Sequence, residues 1–577
     1  MYATAFISLG LANLDFGAGW LRGQGLRLAF GVPLVAAYVY VEMPALVFPQ
    51  AFVLLALTLV PNAAYAALRL GGAIFTLPRG RVPGSTAGLL RGAHATRQLR
   101  RRPAGRAALT RPYALALGAV ALFALVLLAA PIVDAGGLRD LVHATTSTQL
   151  PASADLRHLR VVPAEAATFA GDKVVGQLGA YYRPGDFDIQ SASGRLVWVA
   201  PLEFQGIVQW LVRGTSPGVI VVGAERADAP AELRLRAPLR YLTSAAFNSN
   251  LYRHVYLSYG TEAILATMLQ LDDRGDPMYV ATLGRPTIGF TGDRVTGVVV
   301  VDPVTGAMRR YDRSDAALPA WISRVVPPAL ALSYNEWFGR YVHGFWNALI
   351  ARRDVHVPAR DEVFGILAAG RFVWFVDHTS PASDQSMTGF TYLDSVSGRM
   401  TYFTSSGGEF DSLGAENAVA SNPIVKQGRL RTTQPILYTV GGKNTWIVPL
   451  VADTGKVQSL ALAFAENGHV TVGDPSSPSP QNDALARYTA FLEATPGASH
   501  AERRSLSGVI DRIAPGAGGV VYFTVNGRRT IYRLDVAAGP AVALARPGDR
   551  VRFSIAAGEP APGDVTVGDF ADQAFGP

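Results

Sequence analysis

The chain has 577 residues, with 52 Lys or Arg against 44 Asp or Glu, a net charge of +8, and no cysteine. The missing thiols exclude disulfide scaffolds, thiolate zinc sites, iron–sulfur clusters and cysteine nucleophiles. Residues 1–135 hold twelve Arg, no Lys and three acids (Asp15, Glu42, Asp134), while the other 40 cations and 41 acids nearly cancel, so the basic excess belongs wholly to an apolar N-terminal quarter and reads as a membrane-orientation signal.

Three stretches are long and apolar enough to cross roughly 30 Å of hydrocarbon: Leu28 to Phe48, Ala51 to Leu70, and Pro112 to Val133. The third carries no charge between Arg111 and Asp134, whereas Glu42, Pro33, Pro44, Pro49 and Pro61 punctuate the first two, which read as a tight hairpin. Between the second and third stretches lie Arg79, Arg81, Arg91, Arg97, Arg100, Arg101, Arg102, Arg106 and Arg111. The positive-inside rule makes this loop (79–111) cytoplasmic, puts Arg22 and Arg27 on the same side ahead of the first span, and sends everything after Asp134 out of the cytoplasm. Residues 1–20 lack the basic, apolar and small-residue order of a cleavable signal. Arg97, Arg100, Arg101, Arg102 and Arg106 are candidate lipid head-group contacts; with no aromatic residues among them, nucleic acid is not an expected partner.

A polar linker, TTSTQLPASAD, leads into β-branched and aromatic runs separated by Gly, Pro, Asn and Asp. Strands are predicted at Lys173 to Ala180, Leu196 to Pro201, Val219 to Gly223, Met278 to Leu283 and Thr296 to Val301. Helices are predicted at Thr261 to Leu271, Ala329 to Leu349, Glu409 to Ala420 and Asp483 to Ala494. In the longest of these, Trp337, Tyr341 and Phe345 fall at four-residue steps, a candidate partner surface set against an ordinary helix-to-sheet core contact.

One turn recurs between apolar runs. Asp302 precedes Gly306 and Asp394 precedes Gly398, each after a Thr-Gly pair (Thr296-Gly297, Thr388-Gly389), with Asp453 and Gly455 as a shorter relative and DIQSASGR as a weaker echo. Asp caps such a turn through backbone amides and Gly supplies its positive φ, so these acids read as turn formers rather than catalytic carboxylates. Strand, Asp-x-x-x-Gly turn, strand and nearby helix resemble the small PepSY-type module. The stretch from VVVVDPVTGAMRRYDRSDAALPAWISRVVPP through YVHGFWNAL, SPASDQSMTGFTYLDSVSGRMTYF and QPILYTVGGKNTWIVPLVADTGKVQSLALAF is similar to a family of membrane-anchored bacterial and phage-borne proteins of unassigned function, over residues 260–475. The resemblance implies duplicated α+β units in an extracytoplasmic setting and brings no catalytic residue with it.

Further on, GDPSSPSPQND reads as a linker, and five short strands between 501 and 557, with an Asn526-Gly527 hairpin, suggest a small OB-like barrel on which Tyr522, Phe523 and Tyr532 would be core or stacking residues. The last residues, 558–577, read as an acidic flexible tail.

Motifs that would carry chemistry are weak. GTSPG at Gly214 to Gly218 is a formal G-x-S-x-G, but Pro217 and a strand follow where a nucleophile elbow needs a helix. GGKN at Gly441 to Asn444 lacks the rest of a phosphate loop, and DDRGD at Asp272 to Asp276 lacks EF-hand spacing. Asp377 beside His378, near Ser380, Ser383 and Asp384, is the one polar cluster that invites a triad reading. No cofactor or metal motif is visible.

The expected fold class is therefore a membrane-anchored α+β protein: transmembrane helices in 1–135, a β-rich region in 136–260, duplicated PepSY-like units in 261–473, a linker and helix in 474–500, the OB-like barrel and the tail. The expected role is non-enzymatic, an extracytoplasmic scaffold or binding subunit of a cell-envelope assembly in contact with membrane lipids and a protein partner. Alternatives are a PepSY-like regulator of an envelope protease or hydrolase, and an accessory subunit of a transport or secretion complex in which Glu42 lines a path.

Overall fold

The computed structural model describes residues 2–14, 20–75, 103–236, 238–313, 316–382, 385–405, 407–493, 503–516, 520–527, 530–535, 544–556, 564–566 and 568–572. Among the described residues the chain opens with the helices α1 (Tyr2–Gly10), α2 (Trp20–Glu42), α3 (Val53–Phe75), α4 (Pro103–Val133) and α5 (Ala135–Asp140). Among the described residues, two helical stretches are long and apolar enough to cross a membrane, Trp20–Glu42 and Pro112–Val133, and Gln50–Tyr65 is a shorter apolar one. At 1.5 Å per residue, the 23 residues of α2 reach about 34 Å. That helix begins eight residues before the expected Leu28, so Arg22 and Arg27 lie inside it rather than ahead of it. The last residues of the expected arginine loop, from Pro103 on, are helical and extend α4. α1 falls where no helix was expected; Tyr2 packs beside Phe48 and Phe6 beside Phe52, with ring centroids 5.7 Å apart in each pair, so it runs alongside α3.

The linker after α5 is not a loose tether. Ala144–Ser147 forms β1, which pairs in parallel with Met400–Thr404 (β15) and stitches the chain leaving α4 onto a sheet more than 250 residues away.

Beyond it, one plan is built four times: a helix, then a four-stranded antiparallel meander. The first unit is α6 (Ala164–Val175), β2 (Tyr182–Pro184), β3 (Asp188–Ala192), β4 (Arg195–Phe204), β5 (Val219–Gly223) and β6 (Glu232–Arg234), with α7 (Ile207–Arg213) inserted after β4. The second is α8 (Leu251–Tyr259), β7 (Ala263–Leu271), β8 (Pro277–Arg285), β9 (Arg294–Val301) and β10 (Met308–Asp312). The third is α9 (Pro328–Arg340), β11 (Val357–Pro358), β12 (Phe364–Ala368), β13 (Arg371–Thr379), β14 (Met387–Asp394) and β15. The fourth is α10 (Ser412–Ser421), β16 (Arg431–Thr432), β17 (Ile436–Val440), β18 (Lys443–Val451), β19 (Val457–Phe464) and β20 (Val470–Val472). α11 (Pro480–Glu493) then packs on β19 and β20 and buries Ala484, Tyr488 and Leu492, so the segment expected to be a linker and helix covers the fourth sheet.

Turn chemistry sets the register. In units one, three and four the first hairpin closes on two residues of positive φ: Ser193 and Gly194, Ala369 and Gly370, Gly441 and Gly442. That is the signature of a type I′ turn, whose twist matches the strands it joins. Next come Arg195, Arg371 and Lys443, and three residues later Trp198, Trp374 and Trp446, all buried. Each indole N–H donates to the carbonyl just ahead of its own unit's helix cap: Trp198 to Val162 at 2.9 Å, Trp374 to Val326 at 2.9 Å and Trp446 to Phe410 at 3.0 Å. The side chain that fills the core thereby fixes where the helix begins.

The Asp-x-x-x-Gly turns are third hairpins. Asp302 accepts from Val304 N–H at 2.8 Å and Asp394 from Ser397 N–H at 2.8 Å, so both acids hold turns. The carbonyl after each, Pro303 and Ser395, accepts two successive N–H groups from the strand-like segment leading toward the helix (Arg240 and Tyr241; Val325 and Val326), and Ala224 does the same for Val161 and Val162. The fourth unit's equivalent is Phe464 to Gly468, with the same pair of backbone bonds; Asp453 and Gly455 sit in its second hairpin and the DIQSASGR echo in the first unit's first hairpin.

Two sequence expectations fail here. Thr261 to Leu271, expected as a helix, holds strand β7 from Ala263 on, because a short apolar run fits either period and pairing with β8 decides it. Lys173 to Ala180 begins as the end of α6, whose apolar face packs on β2 and β5.

One core runs through all four units, with Val280, Val295, Val298 and Tyr311 contributed by unit two, and a second joins units one and two. Arg324, fully buried, spans three units: its Nη1 lies 2.8 Å from Asp188 and its Nη2 donates to Leu269 O at 3.1 Å. The C-terminal sheet has the order β25-β23-β22-β21-β24-β26, where β21 (Arg503–Pro515) pairs with β22 (Val520–Val525) along one half and β24 (Arg550–Ala556) along the other. Its outer strands are β23 (Ile531–Asp535), β25 (Asp564–Thr566) and β26 (Gly568–Asp572). The last two lie in the expected flexible tail; β25 pairs in parallel with β23, and Phe570 of β26 packs on Phe523, centroids 5.7 Å apart.

Candidate functional site

A cavity of about 770 Å³ opens where β1, the 151–155 loop, the first-hairpin turns of units one and three and the first strand of unit four converge. Leu367, Val373, Tyr392 and Phe403 line its apolar part, and His143, Asp155, His158, Arg371, Asp394 and Arg399 supply polar groups. Arg371 Nη1 stands 3.4 Å from Asp394, an exposed guanidinium on a mostly buried carboxylate. His158 Nδ1 meets Glu225 at 3.0 Å. Nearby Arg157 holds the Asp155 carboxyl below its ordinary range. A concave, partly apolar site with a few convergent charges is the usual form of a ligand or peptide pocket. The turn geometry that builds it is local, but bringing three units together is not, and no sequence motif marked it.

On the opposite face of the same sheet lies a histidine pair, His378 buried and His356 half-buried. His356 Nδ1 and His378 Nδ1 are 2.9 Å apart, and His378 Nε2 is 3.0 Å from Asn335 Oδ1, which also accepts from Thr391 Oγ1 at 2.5 Å. With His378 Nε2 donating to Asn335, its Nδ1 must accept, so His356 Nδ1 carries the shared proton. His356 stacks on Tyr402 at 4.7 Å. Burial pushes His356 down to about 4, with Arg139 adding to the effect, and burial then the His356 neighbour hold His378 well below its ordinary value. Two neutral imidazoles thus tie α9 to the sheet.

The suspected cluster around His378 does not assemble. Strand alternation turns Asp377 to the other face, where its carboxylate accepts from Ser412 N–H at 2.8 Å at the start of α10. Burial raises Asp377 against that bond. Ser383 and Asp384 lie outside the described residues. Ser216 is buried and donates to Leu202 O at 2.6 Å, GGKN is a hairpin turn, and Asp272 accepts from the Arg274 and Asp276 amides of its own turn. Phe523 and Tyr532 are core residues of the C-terminal sheet.

The aromatic stripe is broken. α9 ends at Arg340, Tyr341 leaves helical geometry, and Gly344 at φ 80° starts a new segment over 344–351. Trp337 packs on the main core, and Tyr341 and Phe345 are half-buried, while Trp346, Leu349 and Ile350 point outward. Arg97, Arg100, Arg101 and Arg102 lie outside the described residues, and Arg106 falls in the part of α4 whose side chains are not described. Glu42 is exposed at the last turn of α2 rather than inside the bundle.

Sequence reasoning missed a polar knot inside the helical bundle. Arg27 Nε donates to Asn62 Oδ1 at 2.6 Å, Nη1 to Gly23 O at 3.0 Å and Nη2 to Tyr113 Oη at 3.0 Å. Asn62 Nδ2 donates to Gly10 O and Ala12 O, both at 2.9 Å, and Tyr113 Oη accepts from Leu14 N–H at 3.0 Å. The knot satisfies backbone groups exposed where α1 stops, a requirement for any broken helix away from water. Asn62, one residue after Pro61 in an otherwise apolar run, was the available signal.

No family model matches the chain, and no curated relative was found for its sequence. Among solved structures it is similar to a thermostable family-43 glycoside hydrolase (10% identity, 51% of this chain and 78% of that one, TM-score 0.16). It is also similar to a Bombyx mori GH32 beta-fructofuranosidase (10% identity, 70% and 93%, TM-score 0.16). At such TM-scores the likeness says nothing about fold or activity.

Proposed function

We propose that this chain is a multi-pass membrane-anchored protein whose four-unit body lies outside the cytoplasm and serves as a binding or scaffold subunit of a cell-envelope assembly. In this reading its helix-and-meander units are PepSY-like, the C-terminal sheet is OB-like, and the 770 Å³ cavity receives a segment of a protein partner. One observation carries the topology. The turn joining α2 to α3 and the far end of α4 both touch the same body: Tyr256 Oη donates to Pro44 O at 2.7 Å, Leu46 N–H to Gly260 O at 2.8 Å, and Ile288 and Gly289 line a crevice with Val126 and Ala130. Both ends facing one side supports three crossings, and the arginines between α3 and α4 support a cytoplasmic setting for the other side. Crosslinking in native membranes followed by purification tests the role. A stable partner, lost when Arg371 and Arg399 become Glu, supports it; recovery of the chain alone under gentle extraction contradicts it. If the partner is an envelope protease or hydrolase, the regulator reading is the specific form.

A second reading, an accessory subunit of a transport or secretion complex, rests on Arg27. A cation held by neutral partners inside a bundle is uncommon without a function. Arg27→Gln would abolish flux with assembly intact under that reading, and would only loosen α1 under the first.

A further inference from the structure

We infer that the body does not hang free from its helices but rests on the bilayer surface through two apolar patches that flank its attachment points. This rests on the reading that the N-terminal helices span a membrane. The first patch is α7, IVQWLVR, an insertion between the second and third strands of unit one; Ile207, Val208, Leu211 and Val212 are all more than half exposed. Four neighbouring aliphatic side chains facing solvent on seven residues make no sense as core and are larger than the scattered apolar residues normal on a surface.

Its position names the occupant. Trp210 packs on Phe247, centroids 6.0 Å apart, and Phe247, itself exposed, accepts from Arg253 Nη1 at 3.1 Å. Arg253 in turn donates through Nε to Tyr40 O at 3.3 Å and lies over the Tyr40 ring at 4.5 Å, at the end of α2. The patch is therefore continuous, through one arginine, with the turn where the first two membrane helices emerge.

The second patch is the 344–351 segment, with Trp346, Leu349 and Ile350 more than half exposed, followed by exposed Arg352 and Arg353. It packs on α5, which directly continues α4 beyond Val133. Two apolar surfaces, each bordering a different helix exit and each accompanied by arginines, fit a lipid head-group layer better than a protein partner. Such helices sink their apolar faces about 5–10 Å, with Trp at the boundary and Arg toward anionic lipid.

The chain's lack of cysteine makes the test clean. Leu211→Cys, Ile350→Cys and Leu125→Cys, the last lipid-facing within α4, are each labelled with an environment-sensitive fluorophore and the full chain is reconstituted into vesicles containing phosphatidylglycerol and spin-labelled lipid. Loss of most emission at all three positions, with little quenching by aqueous iodide, is the expected result. Quenching by lipid at position 125 with iodide-accessible, lipid-blind labels at 211 or 350 overturns the inference and leaves the anchor standing. A lipid-blind label at 125 overturns the anchor as well.

Discussion

Units one, three and four each hold their helix with a tryptophan, and unit two does not. At the position of Trp198, Trp374 and Trp446 the second unit has Tyr279, whose buried hydroxyl makes no hydrogen bond among the described residues, and its first hairpin closes through the longer Asp272 to Asp276 turn instead of a two-residue one. Its helix is also displaced: α8 starts ten residues after Tyr241, the residue that bonds Pro303, whereas in units one and three the helix cap follows the bonded pair at once. Freed from the indole, α8 sits on the turn between α2 and α3. The lesson is that the repeat lacking this internal fastening is the one attached to the N-terminal helices.

Substitutions can break or sharpen this contrast. Trp374→Ala should cost about 3–5 kcal/mol, as truncation of a fully buried aromatic does, in chemical unfolding of the full chain. Tyr279→Phe, at the equivalent position, removes only an unbonded hydroxyl and should cost far less; equal costs would end the distinction.

Unit three has a second fastening, the His356–His378 pair, and acid should release it. Both imidazoles sit below their ordinary value in the fold, so the unfolded chain takes up protons first. Their stabilising contribution is complete above pH 6.5 and is lost as pH falls from there, for His356 toward about 4. For His356 alone that is about 3 kcal/mol. Asp377, raised by burial, acts oppositely, since its penalty is relieved as it protonates. The acid slope should shrink in His356→Gln, read from unfolding midpoints at pH 7 and 5; an unchanged slope would show that the pair does not titrate with folding.

Glycine tests are smaller. A methyl at Gly306, φ 78°, would lie 2.5 Å from the Tyr241 ring, whereas at Gly398, φ 69°, the obstacle is the guanidinium end of the Arg313 side chain, which donates to Ser397 O. Gly306→Ala should cost about 2 kcal/mol and Gly398→Ala about 1 kcal/mol. Smallest is Tyr256→Phe, which removes the bond to Pro44 and should cost about 1 kcal/mol or less while leaving units one, three and four unaffected in hydrogen exchange.

What the sequence revealed was local. Strand β5 and the core of β4, β8 and β9 were visible from β-branched runs, and Asp302 and Asp394 as turn formers, because a turn's chemistry lies within six residues. The pattern Gly, Arg or Lys, two residues, Trp stands three times in the chain, but its meaning needs Val326 beside Trp374, 48 residues apart. His356 and His378 likewise meet only through a folded sheet. Arg27 misled because an arginine beside an apolar run reads as a flank, while here neutral groups from three other segments let the helix absorb it.

Sidedness is the claim on which the rest depends, and impermeant maleimide labelling of single cysteines in intact cells measures it directly. Thr454→Cys, on an exposed turn of the fourth unit, should label without permeabilisation, and Ser85→Cys, between the second and third apolar stretches, only after it. The reverse pattern would contradict the account.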